Sequence, residues 1–518
     1  MLMPAKGRAS RQQLARTTSV PAPINGWNRR DSVATMKPTD AIQIRNWFPT
    51  SSDIHVRKGS ATHASGIPDR VESLAAYRPT TGAHSLWAWA GDSLYDVTGA
   101  GTVAAPVVTS LTNARWQGTN FSTAGGKFLL AVNGADELLR YDGTSWLAIN
   151  GSSTPSITGV ATQNLVGVNV FKERPFYIEI GSMNAWYPGT VGTFAGALTK
   201  LPLQSVFKRG GYLMAMGTWT VDGGIGLDDY AVFITSQGEV AVYQGSDPGN
   251  DWALRGVYNI GAPIGRQCMI KYGGDLLILT NDGVVPASKA LIDDRTSNAI
   301  AITDRIQGAM SEAAAAYKFS SGWSMTQFSA GSMLLVNVPI APGREEQYVM
   351  NTVTGSWCQF TEWPASCFEI LNDELYFGTD GAVVRGWTGT DDRGAVITAE
   401  VVPAFSYFGS RTQMKQFKMF RPIAAVDVNP LQIQAGIDID YVISPPSSTI
   451  DFPALGGSLW DVAQWDVAVW GGLPTVQPRW YTASGIGYCG AAHIRTVSNR
   501  SSIRLLAIDY LLEPAGVI

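Results

Sequence analysis

The chain has 518 residues, more than one ordinary hydrophobic core can serve, so two or three domains are expected. Only 15% of residues are charged, Gly numbers 55 and Trp 17, and Ala/Leu/Glu/Lys-rich helical stretches are almost absent, which favours many short strands joined by tight turns: an all-β fold. The net charge of −4 hides an asymmetry, because residues 1–60 carry ten Lys/Arg against three Asp while the remainder carries 28 against 39, a basic arm on an acidic body.

Residues 1–66 read as an extended basic arm, since Pro21, Pro23, Pro38, Pro49 and scattered Gly prevent long helices. The start lacks the apolar core of a secretory signal, and no apolar run approaches the roughly 18–20 residues of a membrane span. Within the arm, "DAIQIRNWF" alternates Ile42, Ile44 and then Trp47, as a segment docked on a folded surface would. Its cations Arg8, Arg11, Arg16, Arg29, Arg30, Arg57 and Lys58 are candidate assembly contacts.

A strand–turn–strand phrase then recurs at 86–101, 127–146, 170–187, 230–252, 273–288, 332–360 and 367–387. The first turns on Gly91-Asp92, the second on Asn133-Gly134, a strong hairpin signal. One such hairpin cannot bury its apolar face alone; stacked radially, each packs on the next and only short edges remain. The spacing predicts a β-propeller over 67–389, with six blades favoured because 189–228 and 289–330 resemble insertions, and seven allowed by length. Within the second of these, 298–319 predicts a helix, with Ile302, Ile306, Met310 and Ala314 on one face. Trp87, Trp146, Trp252, Trp357 and Trp387 are candidate blade-packing aromatics. After Trp387 the rhythm changes, and 390–518 is expected to form a small β-sandwich or barrel; its "LWDVAQWDVAVWGG" suits neither a helix face nor a single strand.

Chemistry is hard to find along this chain. It carries no HExxH, GxxxxGK[ST], GxSxG, strand-borne GxGxxG or EF-hand loop, and its four His are scattered. Cys268, Cys358, Cys367 and Cys489 show no zinc spacing and read as isolated buried thiols, although Cys358 and Cys367 could face each other in one sheet. Acidic loops at 224–230, 245–252, 291–296 and 389–394 could chelate a divalent cation but suit ordinary solvated turns better. "YDGTSW" (141–146) is superficially similar to the Ser-x-Asp-x-Gly-x-Thr-Trp turns of sialidase-type propellers, yet Asp142 and Gly143 are adjacent, and "NTVTGSW" (351–357) lacks the Asp. Trp87, Trp89, Trp116 and Trp146 could stack on sugars, so a carbohydrate-binding or glycosidase-type propeller is the alternative to a structural protein. No enzyme activity and no cofactor are expected.

Three passages together resemble a known family. "NGWNRRDSVATMKPTDAIQIRNWFPTSSDIHVRKGS" (25–60), "GGDLLILTNDGVVPASKAL" (273–291), and "TAEVVPAFSYFGSRTQMKQFKMFRPI" (398–423) with "LWDVAQWDVAVWGG" (459–472) are similar, in order, to tail nozzle or tail-hub proteins of short-tailed bacteriophages, the tail tubular protein B-like or DNA-stabilisation group. Residues 1–24 are an extra basic extension. The resemblance implies a virion protein of the tail, assembled in the host cytoplasm as a homohexamer below a portal and its adaptor ring. It implies contacts with tail fibres or tailspikes and a tail tip or needle, and a channel conducting DNA without sequence-specific binding.

Overall fold

The computed structural model describes residues 15–222, 227–290, 301–426, 431–446, 448–452, 475–476, 479–498 and 501–516. The chain divides into two compact units, one from residues 1–57 with 396–518 and the other from 58–395. The expected boundaries at 66/67 and 389/390 therefore move to 57/58 and 395/396.

The described residues of the inserted unit form a β-propeller of seven blades. Blade 2 is Gln117–Thr123, Gly126–Val132, Leu138–Tyr141 and Trp146–Ile149; blade 3 runs from Leu165–Phe171 to Gly196–Pro202; blade 4 runs from Leu213–Asp222 to Ala253–Asn259. Among the described residues blade 5 has three strands, Met269–Tyr272, Asp275–Thr280 and Gly283–Pro286, and blade 6 runs from Ser324–Phe328 to Trp357–Phe360. Blades 7 and 1 share the long strand Ser60–Tyr77. Its first half pairs with Glu374–Gly386, beside Cys367–Leu371, and its second half pairs with Ser85–Ala90. The first strand of each blade lies beside that of the next, around to the start, so no long edge is left open.

Seven blades replace the six favoured from sequence, and the reason is local. Leu213–Asp222 and Ser324–Phe328, taken for insertion, are the innermost strands of blades 4 and 6. Each of the seven recurrent phrases supplies strands to one blade. Gly91-Asp92 forms the predicted two-residue hairpin, joining the paired residues Ala90 and Ser93 with Gly91 at φ 56°. Asn133-Gly134 does not. There the Asn133 carboxamide oxygen accepts from the amides of Ala135 and Asp136, giving a five-residue loop between strands. The predicted helix starts later than expected, with a 3-10 turn at Asp304–Ile306 and an α-helix at Gln307–Tyr317; Ile306, Met310 and Ala314 are buried on it, and Ile302 lies before it. The four cysteines are free and buried.

The other unit is a two-sheet module in which the chain termini interleave. One sheet runs Trp47–Pro49, Ile54–Val56, Ile503–Gly516, Met414–Val426, with Arg16–Pro21 paired along Ile503–Gly516 from Arg16↔Leu512 to Pro21↔Ala507. The other contains Asp40–Arg45, Ile397–Pro403, Gly490–Ser498, Leu431–Ile439 and Ser448–Phe452. The sheets meet where the Ala492 amide donates to the buried Tyr510 hydroxyl at 3.0 Å. The N-terminal segment is thus not an extended arm from residue 16 onward: it supplies strands to both sheets. "LWDVAQWDVAVWGG" lies outside the described residues.

The two ends of the propeller meet in a tight crossing. Gly59 passes so close to Asp391 that a Cβ would sit 1.8 Å from the Asp391 carbonyl oxygen. Beside it, Asp392 accepts from the Ser60 hydroxyl (2.9 Å) and the Trp363 indole (3.0 Å). Gly59→Ala is expected to lower unfolding stability by about 3 kcal/mol in urea titration, because backbone must move to admit the methyl. Gly99→Ala, with nothing near its Cβ position, should stay within about 0.5 kcal/mol of the native chain.

Candidate functional site

The predicted assembly cations do not form one group. Arg8 and Arg11 lie outside the described residues. Arg16 is exposed at the start of its strand, and Lys58 is exposed with its ammonium 5.9 Å from the Trp387 ring. Arg57 is the correction: it is 1% exposed, and its Nε donates to the Asn46 carboxamide at 2.9 Å. Asn46, at φ 55°, in turn donates to the Thr398 carbonyl, so Arg57 braces the module and cannot meet a partner.

Arg29 and Arg30 are different: both are exposed on the loop 28–39 of the terminal module. A buried polar node pins that loop. The fully buried Asn28 donates its amide hydrogens to Asp31 and Asp40, both at 2.9 Å, while its oxygen accepts from the Arg30 and Asp31 amides. Asn25 donates to the other Asp40 oxygen at 3.0 Å and to the Thr39 hydroxyl at 2.6 Å. Arg411 reaches across to the Ala34 carbonyl at 3.1 Å. A carboxylate saturated by amide donors fixes backbone rather than offering chemistry. The loop therefore holds Arg29, Arg30 and Lys37 against one acid, Asp31, at the surface, beside the exposed Val33. Rigid, basic and flanked by an apolar side chain, it is suited to recognising an acidic protein surface.

Of the five candidate aromatics, Trp87, Trp146, Trp252 and Trp387 make ring contacts between blades. Trp87 is buried and meets Tyr141 and Trp146 of the next blade edge-on, at ring distances of 4.7 and 5.2 Å. Trp252 lies between Tyr243 and Phe176 in the seam of blades 3 and 4. Trp357 is fully buried and donates to the Ile302 carbonyl, and Trp387 stacks on Phe360. Trp89 and Trp116, weighed as sugar platforms, are buried and stacked on each other at 5.8 Å, leaving no ring face for a pyranose.

The two turns that close on Ser-Trp share a mechanism that sequence concealed. Asp142 accepts from the Thr144 and Ser145 amides, both at 2.9 Å, and from Arg140 at 3.0 Å; burial opposes its ionisation, but these donors outweigh that and hold it below the usual carboxylate range. Asn351 takes the same place in the second turn, accepting from Val353 and Thr354. The acidic loops are likewise closed on themselves. Asp251 caps the Ser246 and Asp247 amides, Asp247 holds Arg174 at 2.9 Å, and Asp391 accepts from Gly394. Asp229 accepts from Thr220, while 224–226 and 291–296 lie outside the described residues. Among the described residues no group of three His, Cys, Asp or Glu is placed to hold a metal.

No family model and no curated protein matches this sequence. Among solved structures it is similar to BBS1N in complex with ARL6DN, at 9% identity and a TM-score of 0.40 over 65% of this chain and 99% of that one. It is also similar to YCF48 bound to D1 peptide, at 12% identity and a TM-score of 0.33 over 66% and 96%. Likenesses this slight transfer neither partners nor activity, and the propeller assignment stands on the ring of strands itself.

One titratable cluster of the terminal module escaped sequence reading altogether. His493, buried on the apolar strand Gly490–Ser498, donates from Nε2 to Glu400 at 2.8 Å and from Nδ1 to the Ser444 carbonyl at 2.8 Å, with Asp438 3.2 Å from Nδ1. Gln43 and Arg45 also reach Glu400. Burial disfavours the imidazolium, but the two carboxylates outweigh it and raise its pKa to about 9. Because the folded pKa lies above the ordinary 6.5, the cluster's stabilisation is complete below pH 6.5 and disappears as pH rises through about 9. Thermal melts should show the module losing roughly 2–3 kcal/mol between pH 6 and pH 10, a slope that His493→Gln flattens.

Proposed function

We propose that this chain is a structural subunit of a ring-shaped tail nozzle or hub of a short-tailed bacteriophage, a conduit for DNA ejection and a platform for the adaptor ring and for fibres or tailspikes. What supports the reading is how the resembling passages are used. The first and third, more than 330 residues apart, pair directly: Asp40–Arg45 lies against Ile397–Pro403 in one sheet, and Ile54–Val56 joins Met414–Val426 through Ile503–Gly516 in the other. The middle passage is blade 5 with the helical turn Ala287–Ala290 that follows it. Two of the resembling passages thus build one module by pairing and the middle one forms a single blade with its turn, so the similarity falls on structural elements rather than on loops.

The division of labour follows from chemistry. In the propeller, aromatic rings fill the blade seams and turn carboxylates are saturated by amides, which suits a rigid body. The terminal module carries the pinned basic loop, suited to an acidic surface on a neighbouring copy or on the adaptor ring. In a closed ring every copy uses two different faces, so a basic loop on one face calls for acidic groups on the other. The acidic balance of the rest of the chain, net −11 over residues 61–518, supplies such groups and would repel DNA phosphates from a channel wall, so that DNA slides through without adhering.

Charge reversal at the loop tests this. The native 55.5-kDa chain is expected to form a particle of about 330 kDa, six copies, on its own or with adaptor protein added. Arg29→Glu with Arg30→Glu should lower thermal stability by no more than about 1 kcal/mol, the worth of the exposed Arg30–Asp31 pair, and weaken association at least about tenfold by light scattering. Saturable glycan binding by a monomer that never associates would contradict the reading.

A further inference from the structure

A polar cavity in the propeller plays no part in the assembly role. It has a volume of about 60 Å3 and lies against the inner strands of blades 2, 3, 4 and 5. Val168, Ala215 and Met269 contribute apolar lining, and Gln117, Asn169 and Arg266 are its polar lining residues.

Arg266 is the unusual member. Its guanidinium lies 5.6 Å from the Tyr212 ring, and one long contact of 3.5 Å links Nη1 to the Met214 carbonyl. Among the described residues no carboxylate pairs with it. The nearby Cys268 thiol does not compensate it either, since burial raises that pKa to about 12 and keeps the thiol neutral. Burial also lowers the pKa of Arg266 itself, the mark of a desolvated cation. A guanidinium has five donors in a fixed fork, and most of these are unspent. Several other arginines of the propeller are paired: Arg70 with Glu345 and Asp380, Arg78 with Glu369, Arg174 with Asp247.

The two amides complete the cavity. Asn169 gives one N–H to the Met216 carbonyl at 2.8 Å and keeps its second. The Gln117 side chain makes no hydrogen bond to a described residue, and the backbone beside it is cut away: a Cβ on Gly167 would lie 3.0 Å from Gln117 Oε1 and 3.3 Å from Ile178. A cation without a carboxylate partner and two underused amides at one small polar cavity form the complement of an oxyanion. A water takes up about 30 Å3 of liquid, so the space suits a few waters or one small anion and excludes a nucleotide.

We propose that this cavity is a binding site for a small oxyanion, a phosphate or a carboxylate, held by Arg266 with Gln117 and Asn169. The site is independent of the ring-assembly role, and its occupancy would rigidify blades 2 to 5 around a shared ligand.

Isothermal titration of the full chain with inorganic phosphate, and separately with acetate, at constant ionic strength tests the site. One saturable site is expected for at least one of them: the phosphate arm identifies a phosphate ligand and the acetate arm a carboxylate. Arg266→Met should weaken that binding at least about tenfold, the equivalent of one charge-assisted hydrogen bond. Gln117→Leu should weaken it severalfold, and Arg255→Gln, on the outer strand of blade 4, should leave it unchanged. A second signature separates a ligand site from a structural arginine. Without anion, Arg266→Met should melt no lower than the native chain, because it removes an unpaired desolvated charge, whereas saturating anion should raise the melting point of the native chain alone. Absence of saturable binding in both arms overturns the proposal, as does binding that survives Arg266→Met. Should that variant fail to fold, unchanged binding by Gln117→Leu overturns it equally.

Discussion

The strand Ser60–Tyr77 belongs to two blades at once, and the rest of the propeller depends on that double membership. A ring of sheets gains from every seam only if its last sheet meets its first; an unclosed ring leaves two apolar faces and a row of unpaired amides. Here the first half of the strand is laid into blade 7 and the second half opens blade 1, with the changeover near Arg70 and Val71. The cost is a tight crossing at Gly59 and Asp391, which only a residue without a side chain permits. Ser60, Asp392 and Trp363 then tie the crossing with two hydrogen bonds to one carboxylate. The start and end of the propeller are consequently side by side, the condition for inserting it into another folded unit without separating that unit's strands.

That insertion explains why the chain's two ends fold together. Arg16–Pro21 pairs with Ile503–Gly516 across almost the whole sequence, and Asp40–Arg45 pairs with Ile397–Pro403. Such pairings carry a large loop-closure entropy unless the intervening chain is already compact. A closed propeller shortens the effective loop to the distance between its own ends. Buried polar groups then set the register of the module: Asn28 and Asp40 at one loop, Asn46 and Arg57 at another, His493 between Glu400 and Asp438 in the sheet.

Much of the propeller was legible because its signals are short-range. Period-two apolar residues, Gly turns and a terminal aromatic mark each hairpin within some fifteen residues, and all seven phrases do fall in blades. The count slipped because Leu213–Asp222 and Ser324–Phe328 lie outside those phrases, and an inner strand without its hairpin looks like a linker. Blade-packing tryptophans were readable from their place at the turns. The N-terminal segment was misread for the opposite reason: Pro and Gly announce the absence of helix, but its strand partners lie hundreds of residues away. Arg57 looked like its exposed neighbours because no local feature reveals that Asn46, at a left-handed turn, reaches back to it. The cation in the inner cavity and the buried imidazolium were invisible as well, since both are defined by what does or does not face them in space.

Hydrogen exchange of the native chain, followed by mass spectrometry of peptides covering 58–66, 366–372 and 380–390, tests the closure most directly. The account predicts that amides of Ser60–Ser65 exchange as slowly as those of Cys367–Leu371 in the same blade and are released together with Ala382–Gly386, as one cooperative unit. Rapid exchange of Ser60–Ser65 while Cys367–Leu371 remains protected would contradict it, because the propeller would then be an open ring.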